Sequence, residues 1–224
     1  MSFRNRSDAG RQLAKALAGY KDQQPVILAL PRGGVPVAAQ VAAALNAPLD
    51  VILVRKIGVP FQPELAMGAV VDGGAPIIVR NEDVIRLAGI DESEFQAVCD
   101  DELAEIERRR QRYLGSRNRV DVSGRTAIVI DDGVATGATT RAALRATRVR
   151  KPKRLVLAVP VAPTDSLPEL RHDADDVVCL EDHEFFGAIG VYYADFSQVP
   201  DEEVIEILKQ FPVQRPAQAK QPVA

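Results

Sequence analysis

The stretch Ala127-Ile128-Val129-Ile130-Asp131-Asp132-Gly133-Val134-Ala135-Thr136-Gly137-Ala138-Thr139-Thr140 carries most of what this chain discloses. Its four leading apolar residues predict a short buried strand, and two adjacent carboxylates stand where that strand ends. A loop of small residues follows, and Thr140-Arg141-Ala142-Ala143-Leu144 opens a helix. Ionised carboxylates only accept hydrogen bonds, so a pair of them suits the two hydroxyl protons of a ribose diol. Small loop residues let backbone N–H groups approach a phosphate, and a helix N-terminus adds its positive dipole end. The hydroxyls of Thr136, Thr139 and Thr140 are donors for the same group.

Outward from this stretch the pattern alternates between buried strands and helices. Ser7 caps a predicted helix over 8–17 that ends near Gly19. Val26 to Leu30 is a continuous apolar run, as expected of a strand covered on both faces. Pro31-Arg32-Gly33-Gly34 breaks it, and Val37 to Leu45 reads as a crossover helix. Val51 to Val54 is a second buried strand closed by Arg55-Lys56. Such βαβ units require a mainly parallel sheet with helices on both faces. The rhythm pauses between 57 and 120. Ile57 to Gly74 is Gly- and Pro-rich and reads as a long loop running into a hairpin with Ile77-Ile78-Val79. Asp91 to Leu114 turns helical, with Asp91 and Glu94 as cap, an apolar face from Phe95 to Tyr113, and Glu105–Arg109 as an ion pair. Strands follow at 126–130, 154–159 and 176–180, with helices at 140–149, 166–170 and 201–210. We therefore expect one α/β domain over 1–211, with 57–120 as an inserted loop and helical subdomain and 181–211 as a small C-terminal hood. The Pro-, Gln- and Ala-rich tail, 212–224, has little to bury and is expected to be disordered.

Composition narrows the function class. The 224 residues are 46% apolar and 26% charged, with a formal net charge of −3. That balance is ordinary for a globular protein and unlike a dedicated nucleic-acid binder. No apolar run approaches the roughly 20 residues that span a bilayer, and the N-terminus has no signal-peptide pattern. Cys99 and Cys179 are expected as free buried thiols. These features fit a cytoplasmic enzyme with neither nucleic acid nor membrane as partner. The arginines from Arg108 to Arg112 lie among glutamates and read as a solvated face or a subunit contact. His183 has no His or Cys partner for a metal. No P-loop, GxGxxG, serine elbow or zinc signature is present.

The 127–140 stretch resembles the PRPP-binding motif of the type I phosphoribosyltransferases: an apolar run, two acids, spacers, then Thr-Gly-x-Thr. The resemblance covers roughly Phe3 to Leu208. It implies that family's fold, an open mainly parallel sheet with a hood, and displacement of pyrophosphate from PRPP by a nitrogen acceptor, often a nucleobase. Asp131 and Asp132 would anchor the ribose, and Gly133, Val134, Ala135, Thr136, Gly137, Ala138, Thr139 and Thr140 would clamp the 5′-phosphate. Arg32, Gly33 and Gly34 resemble the pyrophosphate loop, which often holds a non-proline cis peptide near Pro31-Arg32 or Arg32-Gly33. Arg55 and Lys56 would neutralise departing pyrophosphate, with Lys56 acting beside the two acids in catalysis. Phe186 and Tyr193 are candidates to stack on the acceptor. Mg²⁺ is the implied cofactor, held mainly by PRPP beside Asp131 and Asp132, and a homodimer is the implied assembly.

Three departures bear on the acceptor. Ala135 stands where hypoxanthine/guanine-type members carry an Asp, which argues against 6-oxopurines. Ala138 replaces the second loop glycine of adenine- and uracil-type members, and Gly133 follows the acids where apolar residues are common. Two other readings compete: a non-catalytic PRPP-binding regulator on the same fold, and a Mg²⁺-dependent α/β phosphohydrolase using Asp131 and Asp132.

Overall fold

The computed structural model describes residues 2–72 and 76–211. Helix α1 (Arg6–Ala16) is capped by Asn5, whose side chain accepts the Asp8 N–H at 2.9 Å. Ser7, the expected cap, lies in the first turn instead. Asn5 has the extended backbone, φ −162°, that an N-cap requires. Strand β1 (Val26–Ala29), helix α2 (Gly34–Leu45) and strand β2 (Leu49–Val51) then form the first βαβ unit.

The expected second strand divides. Val54 opens β3 (Val54–Val59), which pairs antiparallel with β4 (Gln62–Val71), and β4 pairs with β5 (Ile77–Arg80) in a separate three-stranded sheet. Arg55 and Lys56 therefore lie within β3, opposite Val70 and Ala69, and do not close a parallel strand. The segment expected as a long loop forms most of two strands. Their register shifts around Gly58, and the first four of the ten β4 residues are exposed, which blurs the alternation that marks a strand.

Helix α3 (Glu82–Ala88) leads into α4 (Glu92–Leu114), whose Asp91 and Glu94 make the expected reciprocal capping box. Glu105 and Arg109 form the expected ion pair at 2.7 Å. Arg108 and Arg110 pair within the helix, with Glu105 and Glu107, while Arg112 reaches Asp201 and Glu202. Strand β6 (Thr126–Ile130), helix α5 (Ala138–Val149), strand β7 (Arg154–Pro163), helix α6 (Leu167–Asp173), strand β8 (Asp176–His183) and helix α7 (Asp201–Lys209) complete the described elements. The tail from 212 to 224 lies outside the described residues.

The main sheet is parallel throughout, in the order β2-β1-β6-β7-β8. Alternate side chains of its strands divide between two cores. Ile27, Ala29, Ile128 and Ile130 pack with α2, whereas Val26, Leu28, Ala127 and Val129 pack with α5. The connections after β1 and β6 thus leave on opposite faces. In a doubly wound sheet this reversal opens a crevice between the two strand ends, where ligands bind. Cys99, buried in α4, and Cys179, half-buried in β8, are unpaired.

Candidate functional site at the β1–β6 switch

Asp131 and Asp132 follow β6 at the carboxyl edge of the sheet, inside this crevice. Asp132 is 8% exposed. Its Oδ2 accepts Arg6 Nε at 2.7 Å, and its backbone carbonyl accepts the Tyr193 hydroxyl at 2.6 Å. The Asp132 N–H in turn donates to Asp131 Oδ1 at 2.9 Å. Asp131 has no ion-pair partner among the described residues. Burial, and then the neighbouring Asp132 charge, push its carboxyl well above the usual carboxylate range.

Two glycine-capped helices converge on these acids. Helix α5 begins after Gly137, which has φ +77° and provides no side-chain cap. The Val134 N–H donates to the Val161 carbonyl at 2.9 Å, pinning the loop to β7. From Ala135 to Thr140, no backbone N–H donates to a backbone carbonyl among the described residues. These are successive unspent donors on a loop and a first helical turn, the arrangement that receives a phosphate. Thr136 and Thr139 are exposed beside them, and Thr140 is buried.

Helix α2 begins after Gly33, also without a side-chain cap. The Pro31–Arg32 peptide is cis, at one of the two positions that the resemblance implied. Gly34 proves to be a packing residue: its N–H is spent on the Leu30 carbonyl, and a Cβ there would lie 2.7 Å from the Ile130 carbonyl oxygen. A Cβ on Gly33 would lie 1.9 Å from Asp132 Oδ2. The two glycines therefore press the loop onto the end of β6. The Arg32 guanidinium points to the start of α7, 3.8 Å from Asp201. Asp201 is held as well by the Tyr113 hydroxyl at 2.5 Å and by Arg112. Burial and this carboxylate push the Tyr113 hydroxyl up to about 12.

Lys56 lines a cavity of about 470 Å³ together with Ala138, Thr139 and Arg141, so β3 brings it beside the first turn of α5. Its ammonium is 3.1 Å from Glu64. Arg55 turns to α4 and pairs with Glu102 at 2.5 Å. On the other side of the loop, Phe186 lines a cavity of about 490 Å³ with Thr136, Gly137, Ser166 and Glu184. Tyr193, paired with Phe186 as a stacking candidate, is only 2% exposed and packs between Phe3 and Phe196. It offers no face to a ligand. Its measurable role is the hydrogen bond to Asp132, and burial pushes its hydroxyl far up.

Arg6, Phe196 and Asp201 were not foreseen as parts of the site. They arrive from the two ends of the chain, and no local periodicity marks a contact across 126 residues.

Comparison with known proteins fits this geometry. The sequence profile described as "Phosphoribosyl transferase domain" matches residues 4–197. The chain belongs to the phosphoribosyl transferase family. Arg6, both acids, Tyr193 and Phe196 all fall within the matched span. Two curated relatives, each named "Putative phosphoribosyl transferase" and drawn from two strains of Mycobacterium tuberculosis, are 47% identical over 206 residues. The match covers 92% of this chain and 46% of each relative, so the chain spans just under half the length of these family members. The crystal structure of TT1426 from Thermus thermophilus superposes with a TM-score of 0.83 at 42% identity, covering 95% of this chain and all of that one.

Proposed function

We propose that the chain is a phosphoribosyltransferase that binds PRPP with Mg²⁺ and transfers ribose 5-phosphate to a nitrogen acceptor, releasing pyrophosphate. One observation carries this reading: an acid pair lies between two runs of unspent backbone N–H groups, at 32–33 and 135–140, that follow neighbouring strands. A ligand that fills both anion sites and presents a diol between them is a sugar bearing phosphate at both ends.

The chemistry follows from the placement. The acceptor nitrogen's lone pair forms the bond to C1 as the C1–O bond to pyrophosphate breaks, and that electron pair leaves with pyrophosphate. The loop from Ala135 to Thr140 holds the 5′-phosphate, the acid pair fixes the ribose through Asp131, and the Arg32 and Gly33 N–H groups ahead of α2, which donate to no backbone carbonyl among the described residues, receive the pyrophosphate, so the reacting atoms are oriented before bond breaking. Positive charge develops on the ribose ring in such a transition state, and the acid pair stands where it opposes that charge. Lys56 is the cation beside the first turn of α5, suited to the departing anion.

The residues fit Mg²⁺ as a ligand-borne cofactor. Among the described residues no cluster of three or more His, Cys, Asp or Glu could cage a metal, while Asp131 supplies a hard oxygen donor with no cation paired to it. Asp131 would face the ion, and the ion would neutralise charge on the phosphates. Phe186, which lines the cavity beside Thr136, is our candidate to meet the acceptor, and Ala135 leaves no carboxylate at that position for a 6-oxopurine. No helix among the described residues is long and apolar enough to cross a membrane. A cytoplasmic location belongs to the same proposal, supported by two unpaired cysteines.

The test is the double substitution Asp131→Asn with Asp132→Asn. It should abolish Mg²⁺-dependent PRPP binding in calorimetry while the circular dichroism spectrum stays that of the wild type. Undiminished binding would sink the assignment.

A further inference from the structure

The two acids of the site are not equivalent. We propose that Arg6 is a positioning residue that commits Asp132 to the scaffold, leaving Asp131 as the carboxylate that meets the ligand diol; this rests on the PRPP reading above. Arg6 Nε is 2.7 Å from Asp132 Oδ2, and the two side chains are only 12% and 11% exposed. A pair so enclosed loses little to solvent screening, and its geometry is fixed on both sides. The Arg6 Nη1 donates to the Ser197 carbonyl at 2.7 Å, and its guanidinium lies 3.8 Å from the Phe196 ring centroid. Asp132 is gripped by the Tyr193 hydroxyl and walled by Gly33, whose Cα leaves no room for a side chain.

Asp132 Oδ2 is thus taken by the Arg6 guanidinium beside the Gly33 backbone. Asp131 spends one oxygen on the Asp132 N–H and has no cation against it among the described residues. Arg6 then acts through Asp132: it fixes the Asp132 side chain while Tyr193 holds the Asp132 carbonyl, and the Asp132 N–H orients the Asp131 carboxyl. The construction also ties the start of the chain to the 193–197 segment, because Phe3 bridges Tyr193 and the Ala194 N–H donates to the Phe3 carbonyl. The acid pair is held by both ends of the fold.

The experiment compares PRPP binding, with Mg²⁺, and thermal midpoints for the wild type, Arg6→Gln, Arg6→Lys, Asp131→Asn, Asp132→Asn and the Arg6→Gln/Asp132→Asn double variant. Losing the Asp131 carboxyl at the diol should weaken PRPP about 100-fold in Asp131→Asn, whereas Asp132→Asn, which still accepts from Arg6, should lose less than about 10-fold. Arg6→Gln should lose about 10-fold and Arg6→Lys, which keeps the charge, only about 3-fold. Effects of Arg6→Gln and Asp132→Asn should be strongly non-additive in both readouts. Equal losses at the two acids, or wild-type PRPP affinity in Arg6→Gln, would overturn the proposal. So would additive thermal midpoints, which report the Arg6–Asp132 coupling without any ligand. If the wild type binds no PRPP, the functional reading fails, and the midpoints still decide the pairing.

Discussion

Gly33 offers the sharpest steric test of how the acid pair is held. Its φ of −62° and ψ of −33° are open to any residue, so backbone freedom does not explain a glycine there. The reason is the carboxylate behind it. A methyl group at Gly33 would lie 1.9 Å from Asp132 Oδ2, 2.5 Å from Cγ and 3.0 Å from Oδ1. Neither partner can give freely, since Arg6 and Tyr193 hold Asp132, and the Leu30 N–H ties the loop to the Ile130 carbonyl at 2.9 Å while Gly34 packs against that carbonyl. Gly33→Ala should therefore cost about 2 kcal/mol, typical of overpacking, and lower Tm by about 4–8 °C in a chain of this size. The assay is urea denaturation of Gly33→Ala, Asp132→Ala and the double variant. With the carboxylate absent the methyl fits, so adding Gly33→Ala to Asp132→Ala should cost less than about 0.5 kcal/mol. An equal cost in both backgrounds would refute the steric argument. Gly19→Ala, where a Cβ meets nothing within 4 Å, is the control for a glycine without neighbours.

Removing one hydroxyl tests the support from the hood side. Tyr193→Phe leaves the buried Asp132 carbonyl without its 2.6 Å donor, which should lower stability by about 1–2 kcal/mol in urea denaturation; PRPP affinity should fall in calorimetry. Acid titration tests the insertion helix. Hydrogen bonds from Arg108 and Arg109 hold the Glu105 carboxyl down at about 2, against an ordinary value of 4.5. A folded-state value below the unfolded one contributes stability at neutral pH, and that contribution is lost as pH falls from about 4.5 towards 2. Glu105→Gln should therefore flatten the dependence of the urea midpoint on pH over that window; an unchanged slope would show that the helix pairs add nothing there.

Much of the parallel core is legible in the sequence because its strands are buried on both faces. Thr126–Ile130 emerges as expected, since a continuous apolar run bounded by Gly124 and two acids has few other ways to fold. Asp91 and Glu94 likewise announce α4 through a purely local exchange of hydrogen bonds. The insertion sheet is harder. Val51 to Val54 looks like one apolar strand, yet it divides at Ile52-Leu53 between a parallel and an antiparallel partner, and partner choice leaves no mark on hydropathy. Strand β7 outruns its expected end at Val159 because it pairs with β8 as far as Pro163–His183; prolines at 160 and 163 argue for an earlier stop.

At the site, the acids, the threonine loop and the two glycines are local motifs, and their convergence follows from β1 and β6 being neighbours. What decides their individual roles is not local. Arg6 reaches Asp132 from the first helix, Tyr193 reaches it from beyond β8, and Arg32 turns to Asp201. Tyr193 illustrates the difference: an aromatic in an apolar stretch serves equally as a stacking face or as core, and only its neighbours, Phe3 and Phe196, assign it to the core.

Everything proposed for the chemistry depends on the crevice between β1 and β6 receiving a sugar that bears phosphate at both ends. Calorimetric titration of PRPP into the protein, with and without Mg²⁺, puts that to the proof. Saturable, one-to-one binding in the micromolar range or tighter is expected, weakening sharply when Mg²⁺ is withheld. No heat of binding under either condition would contradict it and withdraw the transferase assignment.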